Sequence, residues 1–154
     1  MSDIPSFDHP ERIVVRRAID EQIRDLPVTT NPLAVSLGMR ILEARNGYVK
    51  MAYTVGEAFT QGNGVVQGGI VSAMLDFAMV FAAFSMTPAG TTVATISLTT
   101  NYFRPARTGE LTVEAELEKV GRTMVNARAT ISDPEQRLVA SSSAPIAVIL
   151  DRAR

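Results

Sequence analysis

The chain has 154 residues, no cysteine and a single histidine, and its formal net charge is −1. Those counts exclude disulfides, thiolate nucleophiles, Cys-ligated zinc and multi-histidine metal sites, and they leave no global electrostatic case for nucleic acid or an anionic membrane as partner. With 46% hydrophobic residues the length suits one domain with a sizeable core, expected to span 1–154 with residues 1–30 as a helical N-terminal extension.

The first stretch, MSDIPSFDHPER, is polar and acidic, with no basic segment leading into an apolar one. No secretory leader is expected, and the cytoplasm is the expected compartment. His9 sits in this polar segment, so an enzyme built from this sequence would use a carboxylate as base or nucleophile. Pro10 to Arg24 places Ile13, Val14, Ala18 and Ile23 among charges, which predicts an amphipathic helix with its arginines on a solvated face. Asn31-Pro32 predicts a helix cap and first turn, with a short helix from Pro32 to Ser36 ending near Gly38. From Leu37 the period becomes two, and Asn46-Gly47 between alternating runs predicts a hairpin into Tyr48–Val55. The segment FTQGNGVV, 59–66, is uncharged and glycine-rich.

The next run, Gln67 to Met86, is apolar, small or hydroxyl-bearing except for Asp76. Gly68 and Gly69 begin it and Pro88 and Gly90 follow it, which predicts one helix, apolar all round and therefore buried on all sides. An ionised carboxylate in apolar surroundings is costly unless it is paired or functional, so Asp76 is the leading candidate for chemistry. The run is short for a membrane span, carries a charge near its middle and is followed by strand pattern, so no membrane partner is expected.

Four strand-like runs come after it: Thr91–Phe103, Glu110–Val120, Arg122–Ser132 and Arg137–Leu150. Glu110–Val120 alternates cleanly, its glutamates forming the solvated face of a half-covered antiparallel sheet. The expected architecture is α+β: a hairpin, a buried helix, then a four-strand meander, with a curved antiparallel sheet wrapped around one long central helix.

Gly-Gly-Ile-Val-Ser-Ala-Met-Leu-Asp at 68–76, Asn-Tyr-Phe-Arg-Pro-Ala at 101–106, Gly109 and Gly121-Arg122 together resemble the hotdog-fold acyl-CoA thioesterases. The closest group is the phenylacetate-degradation type, which includes hydroxybenzoyl-CoA thioesterases, and the resemblance covers about Asn31 to Leu150. It implies a hotdog fold and hydrolysis of an acyl-CoA to free acid and CoA, with no cofactor, CoA being part of the substrate. It places the catalytic carboxylate on Asp76, a polar assisting residue on Gln61 and a Ser or Thr from the following strand near Thr95. The family's His-Gly-Gly reads Gln67-Gly68-Gly69 here. That change leaves an alternative open, a catalytically weak or inactive acyl-CoA-binding protein. Hydratases of the same fold pair a histidine with a carboxylate, and no histidine is expected near this helix.

The reaction needs a donor for the developing oxyanion, and the helix-start N–H of Gly68 or Gly69 can supply it. Seven residues of helix separate donor and carboxylate by about 10 Å, too far to serve one carbonyl within a chain. The site is therefore expected between two subunits of a homodimer, and the resemblance extends this to a dimer of dimers. Ser72, one turn before Asp76, is a candidate to orient the carboxylate or touch substrate, and Asn63 in the glycine-rich loop is a further candidate for substrate contact. Arg104, Arg107 and Arg122 are candidates for the CoA phosphates. Phe59, Phe77 and Val80 are candidates for the acyl pocket.

Overall fold

Helix α1 (Pro10–Asp20) begins at His9, whose imidazole nitrogen accepts the Glu11 N–H, and buries Val15 and Ala18. These features come from a computed structural model, which describes residues 7–150. The leader reading of residues 1–12 and the outer limits of the single domain therefore lie partly outside the described residues.

The helix stops four residues earlier than its periodicity predicts. Ile23 N–H donates to Ala18 O at 3.0 Å and Gln22 N–H to Ile19 O at 3.2 Å, with Gln22 at φ 52°. This is a Schellman ending. Its left-handed position carries Gln rather than Gly, so no punctuation marks it in the sequence. Arg17 and Arg24 are exposed as expected, but Arg12 and Arg16 are not. Arg12 donates to Thr87 O (2.8 Å) and Asp8 (2.6 Å), and Arg16 donates to Ser85 O (3.1 Å) and Asn46 (2.8 Å). They tie α1 to the carbonyl end of the central helix, where cations are favoured. Replacing Arg12 by Met should lower stability by about 1.5 kcal/mol, read as a shift in the urea midpoint without a change in slope.

Helix α2 (Pro32–Ser36) is capped by Asn31, whose side chain accepts the Ala34 N–H. Strand β1 (Leu26–Pro27) pairs with β2 (Arg40–Arg45), and β2 turns through Asn46-Gly47 into β3 (Tyr48–Val55), with Gly47 at φ 78°. A short 3-10 turn (Glu57–Phe59) and the glycine-rich loop lead to α3 (Gly68–Phe84). Then come β4 (Thr91–Thr95), β5 (Thr99–Tyr102), β6 (Gly109–Val120), β7 (Met124–Ser132) and β8 (Leu138–Leu150).

The order across the sheet is β1-β2-β3-β6-β7-β8-β4, all pairs antiparallel, with β5 also on β8. Of the expected four-strand meander, β6-β7-β8 forms one. The strand expected to lead it instead lies at the far edge, against β8, because α3 carries the chain across the sheet's inner face. That strand is also two strands. Thr95 pairs with Ile146 and Thr99 with Ser143, so one extra residue is absorbed between them. Ile96 N–H donates to Pro145 O at 2.9 Å, which turns the N side of Pro145 toward the same edge. Proline has no N–H to return, and the ladder breaks there.

Helix α3 packs across β3, β6, β7, β8 and β4, burying Val71, Met74, Leu75, Ala78, Met79, Phe81 and Ala82. The inward residues of β6 and β7, among them Leu111, Val113, Val125 and Ile131, meet it. On the outer face Lys50 pairs with Glu114, and Arg128 with Glu116. A curved antiparallel sheet around a central helix is the hotdog fold. The helix is not buried on all sides, however. Ser72, Ala73, Asp76, Phe77 and Val80 form a half-buried stripe that the sheet does not cover. No helix among the described residues is long and apolar enough to cross a membrane.

Candidate active site

The start of α3 is fixed by its own side chain. Gln67 lies in extended backbone (φ −61°, ψ 136°), and its Oε1 accepts the N–H groups of Gly69 (2.6 Å) and Ile70 (3.3 Å). Gln is not a favoured cap, but its longer chain folds back to do the same work. A Cβ at residue 69 would lie 2.8 Å from that oxygen, so glycine at 69 is what lets the cap form. The loop ahead is closed by the Thr60–Val66 bridge and by Gln67 N–H donating to Phe59 O (2.9 Å). Gln67 is thus engaged as a cap, and the Gly69 N–H is already bonded. Among the described residues no group accepts from the Gly68 N–H. Of the two glycines, Gly68 is the one with a donor to offer.

Gly68 opens onto a cleft of about 530 Å³ lined by Gln61, Asn63, Tyr102, Phe103 and Arg104, among others. Gln61 Oε1 accepts the Asn63 N–H at 3.1 Å, so these two exposed residues shape one loop tip. Arg104 also borders an adjacent 400 Å³ cavity that holds Arg107 and the Asp133–Arg137 pair. Arg122 is elsewhere. It lines a 740 Å³ apolar cavity beyond the other end of α3, with Met86, Val148 and Ile149.

Two turns along the helix, Asp76 Oδ1 accepts a hydrogen bond from Thr95 Oγ1 at 2.7 Å. No other hydrogen bond or ion pair to Asp76 occurs among the described residues, which leaves Oδ2 open on the half-buried stripe. Phe77 and Val80 continue that stripe and pack partly against the core, as does Phe59. Beneath it Tyr53 is fully buried and donates to Met74 O at 2.8 Å. Burial first, and the nearby Asp76 charge second, push the Tyr53 hydroxyl far above its ordinary pKa, so it stays a neutral donor.

One chain therefore holds two separate groups of candidate residues. Gly68, Gln61, Asn63, Gln67 and Arg104 cluster at the helix start; Asp76, bonded to Thr95 of β4, lies eight helical positions on from Gly68, about 12 Å away. Ser72, considered as a partner for the carboxylate, does not touch it: its Oγ lies 2.5 Å from Tyr102 Oη and 3.2 Å from Thr100 Oγ1. Tyr102 was visible in the sequence only as part of a motif. Its signal was the period of two that puts Thr100 and Tyr102 on one face of β5, toward α3.

The edge formed by β4 and β5 is unpaired on its outer side and carries Ile96, Leu98 and Phe103, of which Ile96 and Phe103 are each 58% exposed. An uncovered edge with large apolar side chains is a ready surface for another strand.

Residues 63–140 match the thioesterase superfamily. A candidate esterase from Halobacterium salinarum is 34% identical over 103 residues, 64% of this chain and 68% of that protein. A thioesterase family protein from Silicibacter pomeroyi superposes with a TM-score of 0.77 at 30% identity, over 91% of this chain and 98% of the other. A candidate thioesterase from Ralstonia eutropha, named a phenylacetic acid degradation-related protein, gives a TM-score of 0.75 at 29% identity, over 86% and 98%. With a capped helix start offering a free N–H, and a carboxylate held by Thr95 further along the same helix, the chain belongs to the thioesterase superfamily.

Proposed function

We propose that the protein hydrolyses acyl-CoA thioesters at a site shared by two copies of the chain. The observation that carries this reading is Asp76: a carboxylate oriented through one oxygen by Thr95, with the other free on the single uncovered stripe of an apolar helix. A structural carboxylate would be expected to have both oxygens satisfied.

The thioester carbonyl oxygen lies against the Gly68 N–H of one subunit, where the helix dipole adds to the hydrogen bond. Asp76 of the other subunit supplies the attacking oxygen, its own or that of a water it deprotonates. The tetrahedral intermediate collapses with cleavage of the C–S bond, and CoA leaves as the thiolate. Direct attack leaves an acyl–Asp76 anhydride, which a water then hydrolyses. Two α3 helices meeting antiparallel across the β4–β5 edges bring each glycine end to the partner's carboxylate, generating two equivalent sites. Arg104 and Arg107 border the cleft and the cavity beside it, where they suit the phosphates of CoA. Pairing of such dimers into a tetramer is the assembly this reading expects.

Thr95→Val should lower kcat about tenfold with KM little changed, because it removes a hydrogen bond to a charged group of about 1.5 kcal/mol. The activity itself is tested on phenylacetyl-, hydroxybenzoyl- and medium-chain acyl-CoA with a thiol reagent. Stoichiometric thiol release supports the proposal. Binding of CoA esters without thiol release would instead favour the acyl-CoA-binding alternative that Gln67 raises.

A further inference from the structure

The Tyr102 hydroxyl stands 2.8 Å from the carbonyl oxygen of Gly68 and 2.5 Å from Ser72 Oγ. Beyond it, Ser72 Oγ lies 3.2 Å from Thr100 Oγ1, Thr100 Oγ1 lies 3.1 Å from Ser142 Oγ, and Ser142 Oγ donates to Thr99 O at 3.0 Å. Four hydroxyl protons face five contacts in this chain. A carbonyl can only accept, so at the two ends the hydroxyls are the donors, Ser142 to Thr99 O and Tyr102 to Gly68 O. Thr100 can then donate to Ser142, and Ser72 can donate to Tyr102. Ser72 can also give its proton to Thr100, the longer of its two contacts.

The consequence falls on the first turn of α3. The Gly68–Gly69 peptide is held at both ends, its carbonyl by Tyr102 and its N–H by Gln67 Oε1. The preceding peptide, which carries the Gly68 N–H, is held only through Gln67 O, which accepts from Ile70 N–H (2.9 Å) and Val71 N–H (3.2 Å). Glycine at 68 and 69 makes this turn the most easily deformed part of the helix. Among the described residues, the side chains that restrain this turn are the Gln67 cap and the tyrosine from β5.

We infer that Tyr102 is a positioning residue for the reaction. It clamps the first turn of α3 so that the Gly68 N–H points at a fixed place in the cleft, and Ser72 holds the tyrosine hydroxyl in that orientation. The inference rests on Gly68 as the oxyanion donor. An oxyanion donor must be aimed before the charge develops, since reorganisation during the reaction raises the barrier. The clamp therefore acts on kcat rather than on substrate affinity.

Tyr102→Phe should lower kcat about tenfold with KM within a factor of two. Ser142→Ala, at the far end of the same network, should weaken the fold to a similar degree and leave kcat unchanged. The effect of Tyr102→Phe should also vanish when Gly68 is replaced by proline, because the clamp then has no donor to aim. Equal losses in the two single variants, a rise in KM alone, or additive losses in the Gly68→Pro background would overturn it. Amide exchange gives a readout that needs no turnover. Tyr102→Phe should speed exchange at Gly69, Ile70 and Val71 about tenfold over wild type while Ala78 and Met79 stay protected. If no thioester is hydrolysed but the exchange changes as stated, the function fails and the clamp stands; unchanged exchange removes the clamp.

Discussion

Asp76→Asn is expected to lower kcat for an accepted acyl-CoA by about 10³-fold and to leave KM within a factor of a few. Asparagine keeps the shape of the side chain, and its Oδ1 can still accept from Thr95 Oγ1, so the local geometry survives. What is lost is the free oxygen. An amide nitrogen has no lone pair basic enough to attack a carbonyl or to take a proton from water. The half-buried stripe around residue 76 also loses a charge, so the variant should melt no lower than wild type. A stability loss together with an activity loss would point to a structural carboxylate, and activity within a few-fold of wild type would remove Asp76 from the chemistry.

Gly68→Pro is expected to lower kcat by about 10²- to 10³-fold, the usual effect of removing one oxyanion donor. The substitution is unusually clean at this position. Residue 68 is the first of α3, where proline is favoured because its N–H has no intrahelical partner. Gln67 already has the extended backbone that a residue before proline requires. A Cβ at 68 would meet the Tyr102 ring at 3.5 Å, an ordinary contact. The helix should therefore form as before, with the same circular dichroism and a melting temperature within a few degrees, while the one free N–H disappears. Gly69→Ala gives a contrast. It displaces the Gln67 cap, a loss of about 1 kcal/mol that the better helix propensity of alanine offsets, so stability should change little and kcat less than in Gly68→Pro.

The parts of the fold that were legible in the sequence were those carried by local chemistry. Asn31 capping a helix opened by Pro32, the Asn46-Gly47 hairpin and the glycine-begun helix over 68–84 all follow from residue types at fixed offsets. The sheet order was not legible, because the choice of β8 rather than β6 as neighbour of β4 is made by the path of α3 over the sheet, a long-range matter. The break at residues 96–98 is set by Pro145 on another strand, about 50 positions away in the chain. Gln22 ending α1 in a left-handed conformation gave no glycine to read. For the site, Asp76 was conspicuous as the one charge in an apolar run, and Thr95 followed from resemblance. Tyr102 was harder: a tyrosine on a strand looks like packing until its hydroxyl is seen against the Gly68 carbonyl. The role of Gln67 as a cap was hidden because Gln seldom caps helices.

Gly68 and Asp76 lie on one helix about 12 Å apart, and everything proposed for catalysis depends on their meeting across two chains. The most direct measurement is complementation. Asp76→Asn and Gly68→Pro chains are co-expressed with different affinity tags, and the mixed dimer is isolated through both tags. In a shared arrangement each mixed dimer contains one site with an intact Gly68 and an intact Asp76, and one site lacking both. It should recover about half the activity of a wild-type dimer, although each parent retains less than about 1%. A mixed dimer as inactive as its parents would contradict the account and return the reaction, if any, to a single chain.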